Sequence, residues 1–278
     1  MTQTIAIAIP ALNSWYSGKL MAGAHELLAS EDYETVVAVV SEAASLSNIL
    51  ENANPRTGRV DGIIIVDMDL PATMVSELCE AGTRIVTTGR TLPQFPSVMI
   101  DDVAASRAAT AHVIGLGHRH LGLISGNSDG PFRFNVTDRR RQGFFEAVAE
   151  ADVEIVVDEA VGNFALDGGY EAASMLVQPD APSPTALVCM SDEMAFGAVR
   201  SLQDRGLSVP ESVSVIGFDD QEIAETFALT TIRQPVGEIG AVAAALMISL
   251  LTDDQPSIEH EILDFDLVVR QTTRRRSP

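Results

Sequence analysis

Residues 115–126 read GLGHRHLGLISG: glycines, then two histidines one residue apart, then an apolar run. Three readings compete: a phosphate loop, a metal site and a plain connection. A dinucleotide loop needs strand, then glycines, then helix, because the helix N-terminus carries the pyrophosphate. Here the order is helix, Gly117, strand, and the third glycine is missing, so Gly117 reads as a helix C-cap. His118 and His120 are spaced for one face of a strand and could meet one metal. No third His, Cys or carboxylate lies nearby in the sequence to complete such a site. The stretch therefore reads as a polar helix–strand connection between two subdomains, with no metal and no cofactor.

Outward from this junction the same alternation runs twice. Before it, TIAIAIP (4–10), TVVAVV (35–40), DGIIIV (61–66), RIVTTG (84–89) and VMID (98–101) read as strands. TVVAVV is continuous and β-branched, as expected of a strand covered on both faces. The intervening helices are SGKLMAGAHELLASED (17–32), SLSNILENAN (45–54), PATMVSELCEAG (71–82) and the Ala-rich 102–117. After the junction, LGLISG (121–126), EIVVDEAV (154–161), TALVCM (185–190) and VSVIGFDD (213–220) are strands, with helices over 139–151, 167–178 and 191–206. Alternating βα units of this length build parallel sheets with helices on both faces. The fold class is α/β, with two doubly wound subdomains. A long helix over 235–254 and a strand-like stretch, EHEILDFDLVVRQ (259–271), complete the two sheets. The chain thus crosses more than once, which makes a hinge. The expected limits are 1–118 plus 234–254 for the first subdomain, 119–233 plus 255–273 for the second, and 274–278 as a tail.

The balance of 39 acidic against 18 basic residues gives a net charge of −21. A surface so acidic repels phosphate backbones, so nucleic acid is not bound strongly by this chain itself. Two cysteines are no disulfide framework and point to a reducing compartment. MTQTIAIAIPALN (1–13) lacks the basic start of a secretion signal. The longest uncharged apolar stretch, 239–252, is short of the roughly 18–20 residues that span a bilayer. A cytoplasmic protein without a membrane partner is expected.

GHRHLGLISG (117–126) resembles the Gly-His-Arg-Arg-Ile-x-x-Ile-x-Gly segment of the lactose/galactose-repressor (LacI/GalR) family. VDGIII (60–65), IVTTGR (85–90), RRQGFFEA (140–147), TALVCMSDEMAFGAVRSLQDRGLSVPESVSVIGFDD (185–220), LTTIRQP (229–235) and LVVRQTT (267–273) are similar to the same family. The resemblance covers essentially the whole chain. It implies the type I periplasmic-binding-protein-like fold, two Rossmann-like lobes around an effector cleft. Members of that family begin with a helix-turn-helix head of about 60 residues; this sequence starts at the first strand of the core. Contact with operator DNA is therefore expected only through a head outside this sequence.

Ligands of open α/β sheets bind at the carboxyl ends of strands. From the first lobe, Asn13, Trp15 and Tyr16 follow the first strand, and Trp15 is the only Trp. An aromatic face there can stack on a sugar or nucleobase ring, its other reading being an ordinary core or interface aromatic. Asp101 and Asp102 end another strand; one faces the cleft, Asp101 by assignment, and the other caps the next helix. Arg140 begins a helix, where its charge opposes the macrodipole, so stability alone does not favour it. It occupies the family's Arg-x-x-Gly position, and its fork of donors can grip hydroxyls or a carboxylate. Arg139 and Arg141 read as solvated. The resemblance places Phe164 at a stacking position and Asp219 at the effector-binding aspartate. Ser191-Asp192 stands where the family has Asn-Asp, a departure that shortens the reach of residue 191. Asp192 is also read as an N-cap, and Gln234, on a crossing strand, adds an amide.

These residues imply an effector-binding, dimerising core of a LacI-family regulator. Its ligand is a small polar molecule, a sugar or sugar derivative ahead of a purine, and the assembly is a homodimer. Leu78 and Met74 are candidate dimer-surface positions. Alanine at Asp219 or Arg140 should abolish effector binding and leave stability nearly unchanged, whereas Arg139→Ala should do little. The alternative is a solute-binding protein of a sugar transporter, with the same fold and cleft. An enzyme is not expected, since no Ser-His-Asp arrangement, phosphate loop or metal cluster is visible.

Overall fold

The run TIAIAIP becomes β1 (Thr4–Ile9), paired in parallel with β2 (Glu34–Val39) on one side and β3 (Gly62–Ile65) on the other. In this computed structural model, residues 3–40, 59–127, 135–178, 182–253 and 257–276 are described. β4 (Ile85–Thr88), β5 (Ser97–Ile100) and β11 (His260–Leu263) extend the sheet in the order β11-β5-β4-β3-β1-β2, every pair parallel. The second sheet contains β6 (His120–Ser125), β7 (Val156–Val161), β8 (Ala186–Cys189), β9 (Ser214–Asp219), β10 (Thr230–Arg233) and β12 (Asp266–Val268). Its order is β12-β10-β9-β8-β6-β7, and only β12 runs antiparallel to its neighbour. In both sheets the strand order reverses beside the first strand, β1 or β6. Such a reversal opens a crevice at the strands' carboxyl ends.

The helices are α1 (Trp15–Ser30), α2 (Ala72–Ala81), α3 (Asp102–Gly115), α4 (Asn135–Ala149), α5 (Leu166–Leu176), α6 (Asp192–Asp204), α7 (Glu222–Thr226) and α8 (Val236–Thr252). Their ends follow local chemistry. Ser14 and Asp101 accept from backbone N–H groups at the starts of α1 and α3, and Gly82 closes α2 in the left-handed region. Gly117 has φ 95° just past α3, as a glycine at a helix end should. The predicted helix over 45–54 lies outside the described residues. Among the described residues no helix is long and apolar enough to cross a membrane.

The chain divides into two compact units: Met1–Ile100, Asp129–Asn135 and Pro235–Leu263 in one, Asp101–Ser128, Val136–Gln234 and Asp264–Pro278 in the other. These limits differ from those expected at 101–118, 129–135, 234 and 255–263, and 274–278 joins the second unit instead of forming a separate tail; two of the differences have a visible cause. Helix α3 belongs to the second unit, where Ser106 Oγ donates to the Arg140 carbonyl at 2.6 Å and His112 Nε2 meets Thr273 Oγ1 at 3.0 Å. The stretch 259–271 is two strands in two sheets: β11 pairs with β5 and β12 with β10, the chain changing unit at 263–264.

TVVAVV also differs from its reading. It is an edge strand, and Val36, Val37 and Val39 are 46, 43 and 40% exposed. Leu78 is buried in the core cluster with Ile63, Ile65 and Ile85, so it supplies no surface for a second subunit; Met74 packs against the same cluster and is half-buried.

Candidate functional site

In the second unit the carboxyl ends of β8, β9 and β10 converge on one buried guanidinium. Arg140, on the second turn of α4, is 5% exposed. Its Nε donates to Asp102 Oδ1 at 2.9 Å and its Nη1 to the Met190 carbonyl at 2.6 Å. The guanidinium lies over the Phe218 ring, 3.5 Å from the centroid. Nη1 is 3.9 Å from Asp219 Oδ1, an ion pair without a hydrogen bond. Gln234 Nε2 donates to that same oxygen at 2.5 Å. Arg140, Asp219 and Gln234 are thus brought together as expected, and Asp102 joins them.

The Arg-x-x-Gly spacing has a packing cause. A Cβ at Gly143 would collide with the Val103 carbonyl oxygen. The glycine lets α4 press its backbone onto α3, and Arg140, one turn earlier on the same face, then reaches Asp102 at the start of α3. Asp101 and Asp102 exchange the roles assigned to them. Asp101 is the N-cap, accepting from Val103 and Ala104 N–H at 3.1 Å each, and is exposed. Asp102 is the buried partner of Arg140, with Arg139 Nη1 also 3.8 Å from its Oδ2.

A third carboxylate, Asp192, is also buried in the second unit. Ser191, not Asp192, caps α6, its Oγ accepting from Met194 N–H at 3.3 Å. That leaves the Asp192 carboxylate, fully buried, to accept from Thr231 Oγ1 at 2.6 Å and Gln221 N–H at 2.8 Å. Gly217 on β9 leaves room for it, since a Cβ there would overlap Asp192 Oδ1. Burial pushes the Asp192 carboxyl up to about 7; the Thr231 and Gln221 hydrogen bonds pull it down, and the charges of Glu193 and Asp220 add to the rise. Burial likewise holds Asp219 above the usual carboxylate range, opposed first by the Arg140 charge.

The sign of the pH effect follows. A carboxyl with a raised folded-state pKa favours folding below its unfolded value near 3.8, and this contribution is lost as pH rises to about 7. Asp192→Asn is therefore expected to flatten the decline in stability between about pH 4 and pH 7. An amide can keep both contacts, accepting from Gln221 and donating to Thr231 Oγ1. Urea unfolding of parent and variant across that range checks this; equal slopes would mean Asp192 titrates normally.

Asp219 and Asp220 have φ of 124° and 54°, consecutive non-glycine residues in the positive region. Such backbone outliers cluster at sites where neighbours hold them in place. Here Asp220 is clamped by Arg233 Nε and Arg270 Nη1, each at 2.7 Å. Phe164 also has positive φ, 54°, and its ring covers Gly126 at the carboxyl end of β6, where a Cβ would strike it. In the first unit, Asn13 is exposed in the turn after β1, and Trp15 and Tyr16 open α1, both half-buried.

The two histidines of the opening stretch go separate ways. His118 is buried against Thr185 and the Arg274 carbonyl, and His120 pairs with Asp158 on β7 at 2.7 Å. Arg141 is exposed, as read, and holds Glu159 through Nε and Nη2.

Residues 110–273 match the periplasmic binding protein-like domain family, which defines the class of the fold. Catabolite control protein A of Priestia megaterium is 28% identical over 278 residues, covering 98% of this chain and 82% of that protein. The ribose operon repressor of Haemophilus influenzae is 27% identical, covering 98% and 81%. The solved complex of the transcriptional regulator CelR with cellobiose superposes with a TM-score of 0.83 at 27% identity, covering 97% of this chain and 84% of that one. The chain belongs to the LacI family of transcriptional regulators and forms the periplasmic-binding-protein-like, effector-binding core of such a regulator.

Proposed function

We propose that this core binds a sugar or sugar derivative and passes the binding on as a change in operator affinity. The observation that carries the reading is the Arg140 guanidinium, fixed on Phe218 between the carboxylates of Asp102 and Asp219 at the carboxyl ends of the second sheet. Forked donors beside a carboxylate acceptor match a ring bearing several hydroxyls, each both donor and acceptor. Relatives named for ribose and cellobiose favour sugars over purines. In the second unit the ligand contacts are Arg140, Phe164, Ser191, Asp219 and Gln234, and in the first the candidates are Asn13, Trp15 and Tyr16; Asp101, which caps α3, is not among them. Asp102 acts by positioning Arg140.

The working form is a cytoplasmic homodimer whose DNA contact is made by a head outside this sequence. A ligand with different affinity for two arrangements of the core shifts their populations. A coupling of about 1–3 kcal/mol changes operator affinity some 5–150-fold. Relatives named as a repressor and as a transcriptional regulator support this reading over a transporter's solute receptor.

A thermal-shift screen of mono- and disaccharides, polyols and nucleobases tests the proposal. A ligand at 100 times its dissociation constant stabilises the folded state by about 2.7 kcal/mol. Asp219→Ala should then lose that ligand in calorimetry. A saccharide that binds the Asp219→Ala variant as tightly as the parent protein would move the site elsewhere.

A further inference from the structure

At the opposite, amino-terminal ends of the second sheet's parallel strands lies a feature the effector site does not use. His118 and Arg119 lead into β6, Thr185 into β8, and residues 210–212 precede β9. Arg274, Arg275 and Arg276 cross this edge, their backbone held at three points. Arg274 N–H donates to Ser214 Oγ at 3.2 Å, and Arg276 N–H donates to the Leu116 carbonyl at 2.8 Å. The Arg274 carbonyl lies 3.1 Å from His118 Nε2. Because a carbonyl only accepts, Nε2 carries the ring proton, and Nδ1 accepts from Thr185 Oγ1 at 2.9 Å.

The three arginine side chains, His118 and residues 210–212 line a cavity of about 230 Å3. Among the described residues no carboxylate pairs with Arg274, Arg275 or Arg276, in a chain with 39 acidic residues. Arg119, whose Nη1 donates to the His118 carbonyl at 2.8 Å, adds a fourth guanidinium beside the cavity wall. Glu211 lines it too, but the three guanidiniums outnumber its carboxylate. On a protein of net charge −21 an anion is repelled almost everywhere, so a local concentration of uncompensated arginines on a fixed backbone selects this spot. Guanidinium forks match the oxygens of a tetrahedral oxyanion.

We propose that this cavity binds a phosphate group, as free phosphate or as the phosphomonoester of a small molecule, at the edge of the second sheet away from the effector site. Bound phosphate places negative charge beside His118, where burial and the charges of Arg276 and Arg119 now disfavour the imidazolium. His118 is therefore the reporter.

The test follows the His118 ring protons by NMR while inorganic phosphate, glycerol 3-phosphate or chloride is added at constant ionic strength. Either phosphate probe should raise the His118 titration midpoint, and chloride should not. The tighter of the two identifies the source, free phosphate or an esterified metabolite. Arg275→Ala/Arg276→Ala should weaken the phosphate probe about tenfold or more, since a hydrogen bond to a charged group contributes about 1.5–3 kcal/mol. Both side chains are exposed, so the variant should unfold close to the parent's midpoint. An equal response to chloride, or unchanged phosphate affinity in the variant, would overturn the proposal. If the variant does not fold, the comparison of phosphate with chloride on the parent protein still decides.

Discussion

Arg140→Ala is expected to unfold more easily than the parent protein by about 3–5 kcal/mol. The reason is what the truncation leaves behind. Asp102 would remain buried without the guanidinium that accounts for its placement, and the Met190 carbonyl would lose its donor. The Phe218 ring would lose its cation and face a cavity. This revises the expectation drawn from sequence, which treated Arg140 as a cleft group removable without loss of stability. Arg139→Ala is the control. Arg139 Nη1 lies 3.8 Å from Asp102 and its side chain is 20% exposed, so a change of about 1 kcal/mol or less is expected. Urea unfolding of the three proteins measures this. Equal stability of Arg140→Ala and parent would show that Asp102 is not held by Arg140. Ligand binding by Arg140→Ala must be read at a temperature where the variant is folded, so that loss of contact is separated from loss of fold.

Gly143→Val should destabilise by about 3 kcal/mol or more, the upper part of the range for overpacking. A side chain at 143 meets the backbone of α3, at the Val103 carbonyl and the Arg107 nitrogen, so no rotamer change relieves the overlap. The helices must separate, and the Ser106–Arg140 and Arg140–Asp102 bonds span that same contact. Gly18→Ala is the contrast. It lies inside α1 with nothing within 4 Å of the added methyl, so it should stabilise by up to about 1 kcal/mol through helix propensity. Thermal unfolding of both variants provides the check, and a neutral Gly143→Val would mean that α4 is not pinned to α3 by this approach.

The fold was legible where burial makes a pattern continuous. Ile5–Ile9, Ile63–Ile65 and Val213–Phe218 announce strands because both faces of each are covered. The same rule misled at TVVAVV, whose valines are as β-branched as those of a central strand but lie at an edge. Composition records strand propensity, not the number of neighbours. EHEILDFDLVVRQ reads as a single strand-like stretch because nothing in its alternation marks where the chain changes unit. Among the candidate site residues, the grouping of Arg140, Asp219 and Gln234 was legible from strand ends and family spacing. Asp102 was harder to place: in a pair such as Asp101-Asp102 either carboxylate can cap. Which one does so depends on which side chain α4 covers, and that is set by Gly143, forty residues on. Asp192 carries no sequence signal separating a cap from a buried acceptor. Its role depends on Thr231 and Gln221, brought to it by β9 and β10.

Helix α8 and strand β11, which arrive only at residues 236–263, complete the first unit. Until they do, the backbone of α1 at Leu20 and Ala24, against which Gly240 will pack, lacks its cover, and β5 is an open edge. On the ribosome the earliest-made strands must therefore wait while most of the later unit is synthesised, and because β12 follows β11 directly the two units are completed almost together. A nascent chain stalled near residue 234 would leave both units unfinished, the first without α8 and β11 and the second without β12.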